Sequence, residues 1–526
     1  MGSYINPGNE GFATIRRSKY VDKTGLISEV NKKIDTKEKL FCISRPRRFG
    51  KSFAAQMLCA YYDRTCDSSE LFKDFRIARD ASYIEHLNKY NVICLDMTDI
   101  IGNSSCKDAV AYIKRKLSEE ITELCPDIKE EALTDMLVNA VHKTGRKFIA
   151  VIDEWDAIIR DSSAAAEEQK AFLEFLRTLF KSSVKTDRIF AAAYMTGILP
   201  IKKDGSQSAV SEFQEYNMLD AGELAEFVGF TEEEVRTLCE ENSAVFSEMK
   251  KWYDGYSMPE IGSVYNPNSV MSAVKKNDFK SYWKMSSAAD SLLQYVNMDY
   301  DGLSKAVERL MAGIEISVDT DGFNNDVRSV YSMDDVLTLL IHFGYLSYNN
   351  LTGTARIPNE EIRLEFARSI RKTSHKDTLE RVKESDRLIE DTICLRSEAV
   401  ARQIEKIHSE EYGPLHYNNE QSLRAVIKLA YFAYKDLYIQ FEELSGGTGY
   451  ADIVYFPKKG KDVPALLVEL KWNESAEGAI AQIKKRNYPA SIKDYGGELL
   501  LVGIAYDKDS AEKKHECIIE RVSSVR

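Results

Sequence analysis

The first residues that invite chemistry lie at 44–53, SRPRRFGKSF, where Gly50, Lys51 and Ser52 stand in order. Gly-Lys-Ser ends a phosphate-binding loop, in which backbone N–H groups and a lysine surround phosphate and the hydroxyl takes a place on Mg²⁺. In the pattern G-x-x-x-x-G-K-[ST] the first glycine falls on Arg45, which is followed by Pro46. Proline fixes its own φ and turns the preceding residue away from α, so a rigid entrance replaces a flexible one while the donors at Gly50, Lys51 and Ser52 remain. Lys51 is expected to reach the β- and γ-phosphates of a nucleotide, and Ser52 to ligate Mg²⁺. Arg47, Arg48, Phe49 and Phe53 belong to the same nucleotide-binding turn, and either arginine is close enough in sequence to act on the phosphates in cis.

Two other segments supply what such a loop needs. KFIAVIDEWD is an apolar run ending in Asp153 and Glu154, the Walker-B arrangement, with Asp153 on the Mg²⁺ shell and Glu154 polarising the attacking water. RIFAAAYMTG ends in Thr196, a polar group placed to sense the γ-phosphate. Gly-Lys-Ser alone, or an acid pair opening a solvated loop, is common without function; the conjunction in this order is what points to a nucleotide site.

A second constellation lies near the C-terminus. GYADIVYFP carries Asp452, and LLVELKW carries Glu469 and Lys471 two apart, so that the latter two project from one face of a strand. Metal-assisted phosphodiester hydrolysis needs carboxylates beside the scissile phosphate and a group that activates the nucleophile. Asp-x16-Glu-x-Lys matches the PD-(D/E)XK pattern, with Ala451 where the proline would stand. The bland alternative is a surface Glu-x-Lys ion pair worth little. The apolar neighbours of Glu469 leave a charged pair there without a structural reason.

These residues require particular elements to position them. KLFCISRP, NVICLDMT, KFIAVIDE and RIFAAAYMT read as short buried strands, and SFAAQMLCAYYD and EEQKAFLEFLRTLFKSS as amphipathic helices between them. The alternation predicts an α/β domain with a mainly parallel central sheet, whose strand ends would converge in one crevice. In FTEEEV, Thr231 and Glu234 form a capping box opening a helix. VYSMDDVLTLLIHFGYLSYNN reads as a helix running into a strand, with a short strand and helix at 356–370, then a charged helical stretch at 376–412. The last part reads αββαβ: QSLRAVIKLAYFAYKDLY, a glycine turn SGGTG, YADIVYFP, ALLVELKW, EGAIAQIKKRNY and ELLLVGIAY. The expected domains are 1–215, 216–310, 311–415 and 416–526.

Composition limits the rest. The net charge of -12 is uneven: +7 over residues 1–60, -18 over 61–440 and -1 over 441–526, so nucleic-acid contact is expected at the two ends. No apolar run suits a signal peptide or a membrane span, which makes a cytoplasmic location the default. Nine scattered cysteines without a C-x-x-C pair read as reduced structural thiols.

YVDKTGLI, RPRRFGKS, VIDEWD, KWYDGYSM and VYNPNSV together resemble the divergent AAA-type ATPase family that precedes a C-terminal nuclease-like domain in many bacterial proteins. The arginine-proline entrance is usual in that family. The resemblance implies an α/β P-loop NTPase domain, a helical lid at 216–310, a helical or winged-helix-like adaptor and a restriction-endonuclease-like α/β domain. In that superfamily Asp452 and Glu469 would bind the metal, the Leu470 carbonyl would add a ligand, and Lys471 would orient the water. Gln482 would lie on the following helix, and Glu442 or Glu443 would be an auxiliary acid. Lys484, Lys485 and Arg486 are either a solvated face or contacts to DNA phosphates. Trp252, Tyr253 and Tyr256 read as packing that seats the lid; Tyr20 and Asp22 are candidates for the nucleotide base.

The implied activity is ATP binding and hydrolysis coupled to a nuclease using Mg²⁺, with Mn²⁺ as an alternative at the nuclease site. DNA is the expected polymer and RNA the other candidate. An arginine finger acting in trans would require a homo-oligomer. The rival reading is a nucleotide-dependent switch whose C-terminal domain binds nucleic acid without cutting it.

Overall fold

The computed structural model describes residues 2–128, 132–181, 183–201, 210, 212–283, 297, 300, 302–323, 330–371, 376–411, 417, 419–434, 437–446, 449–458, 460–485, 497–510 and 514–522. The chain divides into two compact units, Met1–Tyr282 with Ser317–Glu361, and Trp283–Ile316 with Ile362–Arg526.

The first unit is built on five parallel strands: β1 (Leu40–Ser44), β2 (Asn91–Asp96), β3 (Phe148–Asp153), β4 (Phe190–Gly197) and β5 (Gln214–Tyr216). Their order is β2-β3-β4-β1-β5. β1, β3 and β4 are buried along their whole length, as strands covered by helices on both faces must be. Ser44 pairs with Gly197, Ile152 with Met195 and Asp96 with Asp153, so four carboxyl ends come level. The free edge of β2 is covered by the N-terminal segment: Ile5 bridges Ile93, and the Asn6 N–H donates to the Val92 carbonyl at 2.8 Å. That removes an open edge on which another chain could pair.

Gly197 makes the end of β4 fit the turn after β3. A Cβ there would lie 2.7 Å from both the Trp155 ring and Asp156 Oδ1, and both of those side chains are fully buried. Beyond the sheet, Thr231 and Glu234 form the expected capping box of the helix Glu232–Asn242. β6 (Phe230–Thr231), β7 (Tyr256–Met258) and β8 (Gly262–Tyr265) make a small antiparallel sheet. Tyr253 and Tyr256 are buried, with their hydroxyls donating to the Lys280 and Gly344 carbonyls at 3.0 and 2.8 Å, and Trp252 packs half-buried beside them. The aromatic tract is packing, as expected. The helix Met333–His342 runs into an antiparallel hairpin, β9 (Ser347–Asn349) and β10 (Thr354–Arg356), and the helix Glu360–Arg371 follows.

The second unit departs from the αββαβ expectation. The helix stops at Ala430, and the chain then enters β11 (Tyr438–Gly446), which pairs antiparallel with β12 (Gly449–Pro457) across the glycine turn. β13 (Ala465–Trp472) pairs antiparallel with β12 and parallel with β14 (Leu499–Tyr506), through the crossover helix Ala476–Lys485. β15 (His515–Val522) closes the far edge antiparallel to β14. The charged stretch is two helices, Lys376–Ile393 and Ser397–Glu411, broken where Leu395 takes φ 61°.

Gly503 of β14 pairs with Glu469 of β13 and lets the crossover helix come down onto the sheet. A Cβ at Gly503 would lie 2.7 Å from the Ala476 carbonyl oxygen, backbone that cannot swing aside. Gly503→Ala is therefore expected to lower the stability of the second unit by about 1–3 kcal/mol in a denaturant transition; an unchanged midpoint would contradict this close seating.

Candidate functional site

At the end of β1 the chain turns through Arg45–Gly50 into the helix Lys51–Tyr62, which packs against β3 and β4. Gly50 sits at φ 94° and Arg48 at φ 68°, left-handed conformations that aim the first helical N–H groups out of the turn. Lys51 is 3% exposed. Its ammonium donates to the Arg45 and Pro46 carbonyls at 3.0 Å each and lies 3.4 Å from Glu154 Oε1. Ser52 hydrogen-bonds Asp153. Loop, acid pair and Thr196, which is fully buried at the end of β4, are thus brought to one place.

Asp153 is buried, and that desolvation pushes its carboxyl up to about 6 against the pull of the Ser52 hydrogen bond. Glu154 takes φ 51°, a strained conformation for a side chain with a Cβ, of the kind that clusters at working sites. Its Oε2 accepts from Arg160 Nη2 at 2.5 Å, and Arg160 Nε donates to Asp156 Oδ2 at 2.7 Å. The same Asp156 oxygen accepts the Ile198 and Leu199 N–H groups at 3.1 and 2.8 Å, which ties the acid turn to the loop after β4. Burial pulls the Arg160 guanidinium down, but Asp156 and Glu154 outweigh it and hold it fully charged.

Arg160 and Asp156 were not singled out in the sequence. Their signal was the acid-to-arginine spacing of four in DEWDAIIR, which places Asp156 and Arg160 one helical turn apart. Burial pulls Arg47 down and the neighbouring Arg160 charge adds to it, so Arg47 faces this cluster. Arg48 instead donates to the Tyr282 carbonyl at 3.3 Å. Phe49 is buried edge-on to Tyr256, whereas Phe53 is 51% exposed at the helix start. Arg45 is wholly buried, with Nη1 donating to the Ser44 and Tyr216 carbonyls. Asp22 caps its own turn through Thr24 and the Arg76 N–H, and Tyr20 packs among Phe12, Phe75 and Met57. The structure gives both of these structural partners.

In the second unit the β12–β13 ladder runs to Ile453 opposite Val468, and one step on lie Asp452 and Glu469. In place of a ladder bond, the Leu470 N–H donates to Asp452 Oδ2 at 2.8 Å. Glu469 is buried and accepts from Gln482 Nε2 of the crossover helix. Lys471 is half-buried, and small residues, Gly503 and Ala505, pair opposite Glu469 and Lys471. The helix Glu420–Ala430 adds two cations: Arg424 binds Asp452 Oδ1 at 2.9 Å, and Lys428 binds Glu442 Oε2 at 2.8 Å. Arg424 escaped the sequence reading, although SLRAVIKLA sets its only basic residues at i and i+4. Lys484 pairs with Glu520 at 2.5 Å and Lys485 is exposed. Arg486 and the Glu443 side chain lie outside the described residues.

The donor sets fit the groups the motifs require. Asp452, Glu469 and the Leu470 carbonyl are hard oxygen donors suited to Mg²⁺ or Mn²⁺, and a serine hydroxyl bonded to an aspartate beside a helix N-terminus suits a Mg²⁺-nucleotide.

Fold and residues together define a P-loop module and a PD-(D/E)XK-like module in one chain. Residues 7–206 match the family described as predicted AAA-ATPase, and residues 418–516 match the PD-(D/E)XK nuclease superfamily. The chain therefore joins an AAA-ATPase-like module to a nuclease-like one. An uncharacterized protein from the vnfD 5′ region of Azotobacter chroococcum is 24% identical over 382 residues. That match covers 68% of this chain and 66% of the relative, so the chain spans a little under two thirds of it. Among solved structures, the Aeropyrum pernix ORC2 protein in ADPNP-ADP complexes is 12% identical at TM-score 0.31, covering 68% of this chain and 96% of that one. The Aeropyrum pernix ORC1 protein in complex with DNA is 10% identical at TM-score 0.26, covering 69% and 95%.

A raised carboxyl has a consequence for stability. Because Asp153 binds its proton up to about pH 6 in the fold but only to about 3.8 when unfolded, the chain loses stability as pH rises through that window. Ionised Asp153 then costs about 3 kcal/mol. Asp153→Asn keeps a partner for Ser52 without the charge. It is expected to stabilise the first unit at about pH 8 and to lose that advantage near pH 4, read by denaturation across pH. Equal effects at both ends would contradict the burial argument.

Proposed function

We propose that the chain binds and hydrolyses ATP and cleaves DNA phosphodiester bonds with a divalent metal, the first activity governing the second. The observation that carries this reading is that Asp452 and Glu469 stand opposite one another, with Lys471 on the face of Glu469, in a chain that also sets Ser52 on Asp153 beside Lys51. On this reading residues 1–215 are the ATPase core, 216–310 its lid, 311–415 an adaptor and 416–526 the nuclease.

At the first site ATP supplies the phosphoanhydride and Mg²⁺ the charge that neutralises it. Lys51 exchanges the Arg45 and Pro46 carbonyls for phosphate oxygens; Ser52 would ligate the metal and Asp153 would hold its water shell. Glu154 polarises water once its Oε2 leaves Arg160, and the freed guanidinium, with Arg47, then faces the phosphates. Thr196 reads the γ-phosphate, and Gly50 with Phe53 borders the nucleotide. At the second site Mg²⁺ or Mn²⁺ supplies Lewis acidity. Asp452, Glu469 and the Leu470 carbonyl hold it, Lys471 orients the water, and Gln482 positions Glu469. DNA is proposed over RNA because PD-(D/E)XK chemistry is mostly DNA chemistry. A homo-oligomer would supply any finger in trans. Nine unpaired thiols accord with a cytoplasmic setting. No described helix is long and apolar enough to cross a membrane.

One observation favours the rival switch: both oxygens of Asp452 are taken by the protein's own groups, Arg424 and the Leu470 N–H. The two readings separate in a cleavage assay on circular and linear DNA with Mg²⁺ or Mn²⁺. Cleavage is expected that Asp452→Ala abolishes and Lys471→Ala lowers on the order of 100-fold or more. DNA binding without metal-dependent cleavage by the wild type would leave the switch.

A further inference from the structure

Behind the nuclease strand lies a second group of ligating side chains that neither constellation uses. Glu405 and His408 are three apart on the helix Ser397–Glu411, and His515 opens β15. One ligand atom from each lies within 4.8 Å of the others. His515 is buried and has both ring nitrogens engaged, Nδ1 with Glu405 Oε2 at 2.5 Å and Nε2 with the Tyr417 hydroxyl at 2.7 Å. A Glu-His-Tyr chain of this kind is self-sufficient. His408 is not explained by it.

His408 is 8% exposed, stacked on the Tyr417 ring with centroids 3.7 Å apart, and its Nδ1 is buried without a hydrogen-bond partner. That nitrogen lies 3.7 Å from Glu405 Oε1, too far for a hydrogen bond and aimed at the same carboxylate His515 holds. A cation between these atoms would satisfy His408 and replace the proton shared by Glu405 and His515.

We propose that Glu405, His408 and His515 bind a divalent transition metal of the zinc class, clamping the helix Ser397–Glu411 to β15. Two imidazoles and a carboxylate are a zinc donor set, unlike the all-oxygen set of Asp452, Glu469 and Leu470. The Tyr417 hydroxyl is hydrogen-bonded to His515 Nε2 and leaves Nδ1 for the metal, the orienting partner that ligating histidines need. Tyr417 also packs edge-on to Trp472 and Tyr506. Because side chains alternate along β13, Trp472 lies on the face opposite Glu469 and Lys471. The site is a structural clamp at the back of the nuclease strand.

The test uses the full chain carrying Asp452→Asn and Glu469→Gln, so that the nuclease acids do not contribute, titrated with Zn²⁺ and separately with Co²⁺ as a spectroscopic probe. One equivalent is expected to bind with proton release, to give the intense visible bands of low-coordinate Co²⁺, and to raise the unfolding midpoint of the second unit. His408→Phe keeps the ring stack and should abolish the bands, and Tyr417→Phe should weaken affinity about 10–100-fold. Glu405→Gln serves if His408→Phe does not fold. Absence of Zn²⁺ binding by the folded background protein, or identical Co²⁺ spectra with and without the ligand substitution, would overturn the proposal.

Discussion

The charge chain Lys51–Glu154–Arg160–Asp156, buried at Lys51 and Asp156, is the constraint on which the first unit depends. Charges taken out of water must be paired, or they neutralise or unfold the structure around them. Here Asp156 accepts two backbone N–H groups after β4 as well as Arg160, so the network fixes the turn after β3 against the loop after β4. Lys51 joins it from the loop after β1. Three strand ends are thereby locked by one set of ion pairs, and the parallel register keeps them level.

The second unit repeats the device with different parts. Its acids are held by groups from two helices, Arg424 on Asp452 and Gln482 on Glu469, and the opened ladder lets the Leu470 N–H hold the remaining Asp452 oxygen. In both units the acids a metal would use are already oriented by partners with positive or donor character. Such acids are preorganised, yet each must exchange a protein partner for a ligand.

Much of this was legible in the sequence because the signals were local. Buried parallel strands must be short and apolar throughout, so KLFCIS, KFIAVID and RIFAAAYMT could be read directly, as could the Thr231–Glu234 capping box. Edge strands carry weaker signals. Gln214–Tyr216 has three residues, and HECIIERV alternates toward solvent, so neither stood out against loops. The predicted helix runs on to Tyr438 because the apolar run continues past the turn that follows Ala430, and the rest of YIQFEELSG stays unassigned before the glycine turn. Arg160 has its partners four and six residues back in its own segment, a spacing that many solvated helix ends share. Arg424 and the Glu405–His408–His515 group find theirs in other segments, which no spacing within one segment reports.

The central claim is that the two modules act as one device, with the nucleotide site governing the nuclease site. It is tested most directly by measuring ATP turnover and DNA cleavage in the same reaction as ATP concentration is varied. The account predicts that cleavage changes with ATP at the concentration that half-saturates turnover, and that Arg160→Ala shifts both curves together. Cleavage that is independent of ATP while turnover saturates normally would contradict it.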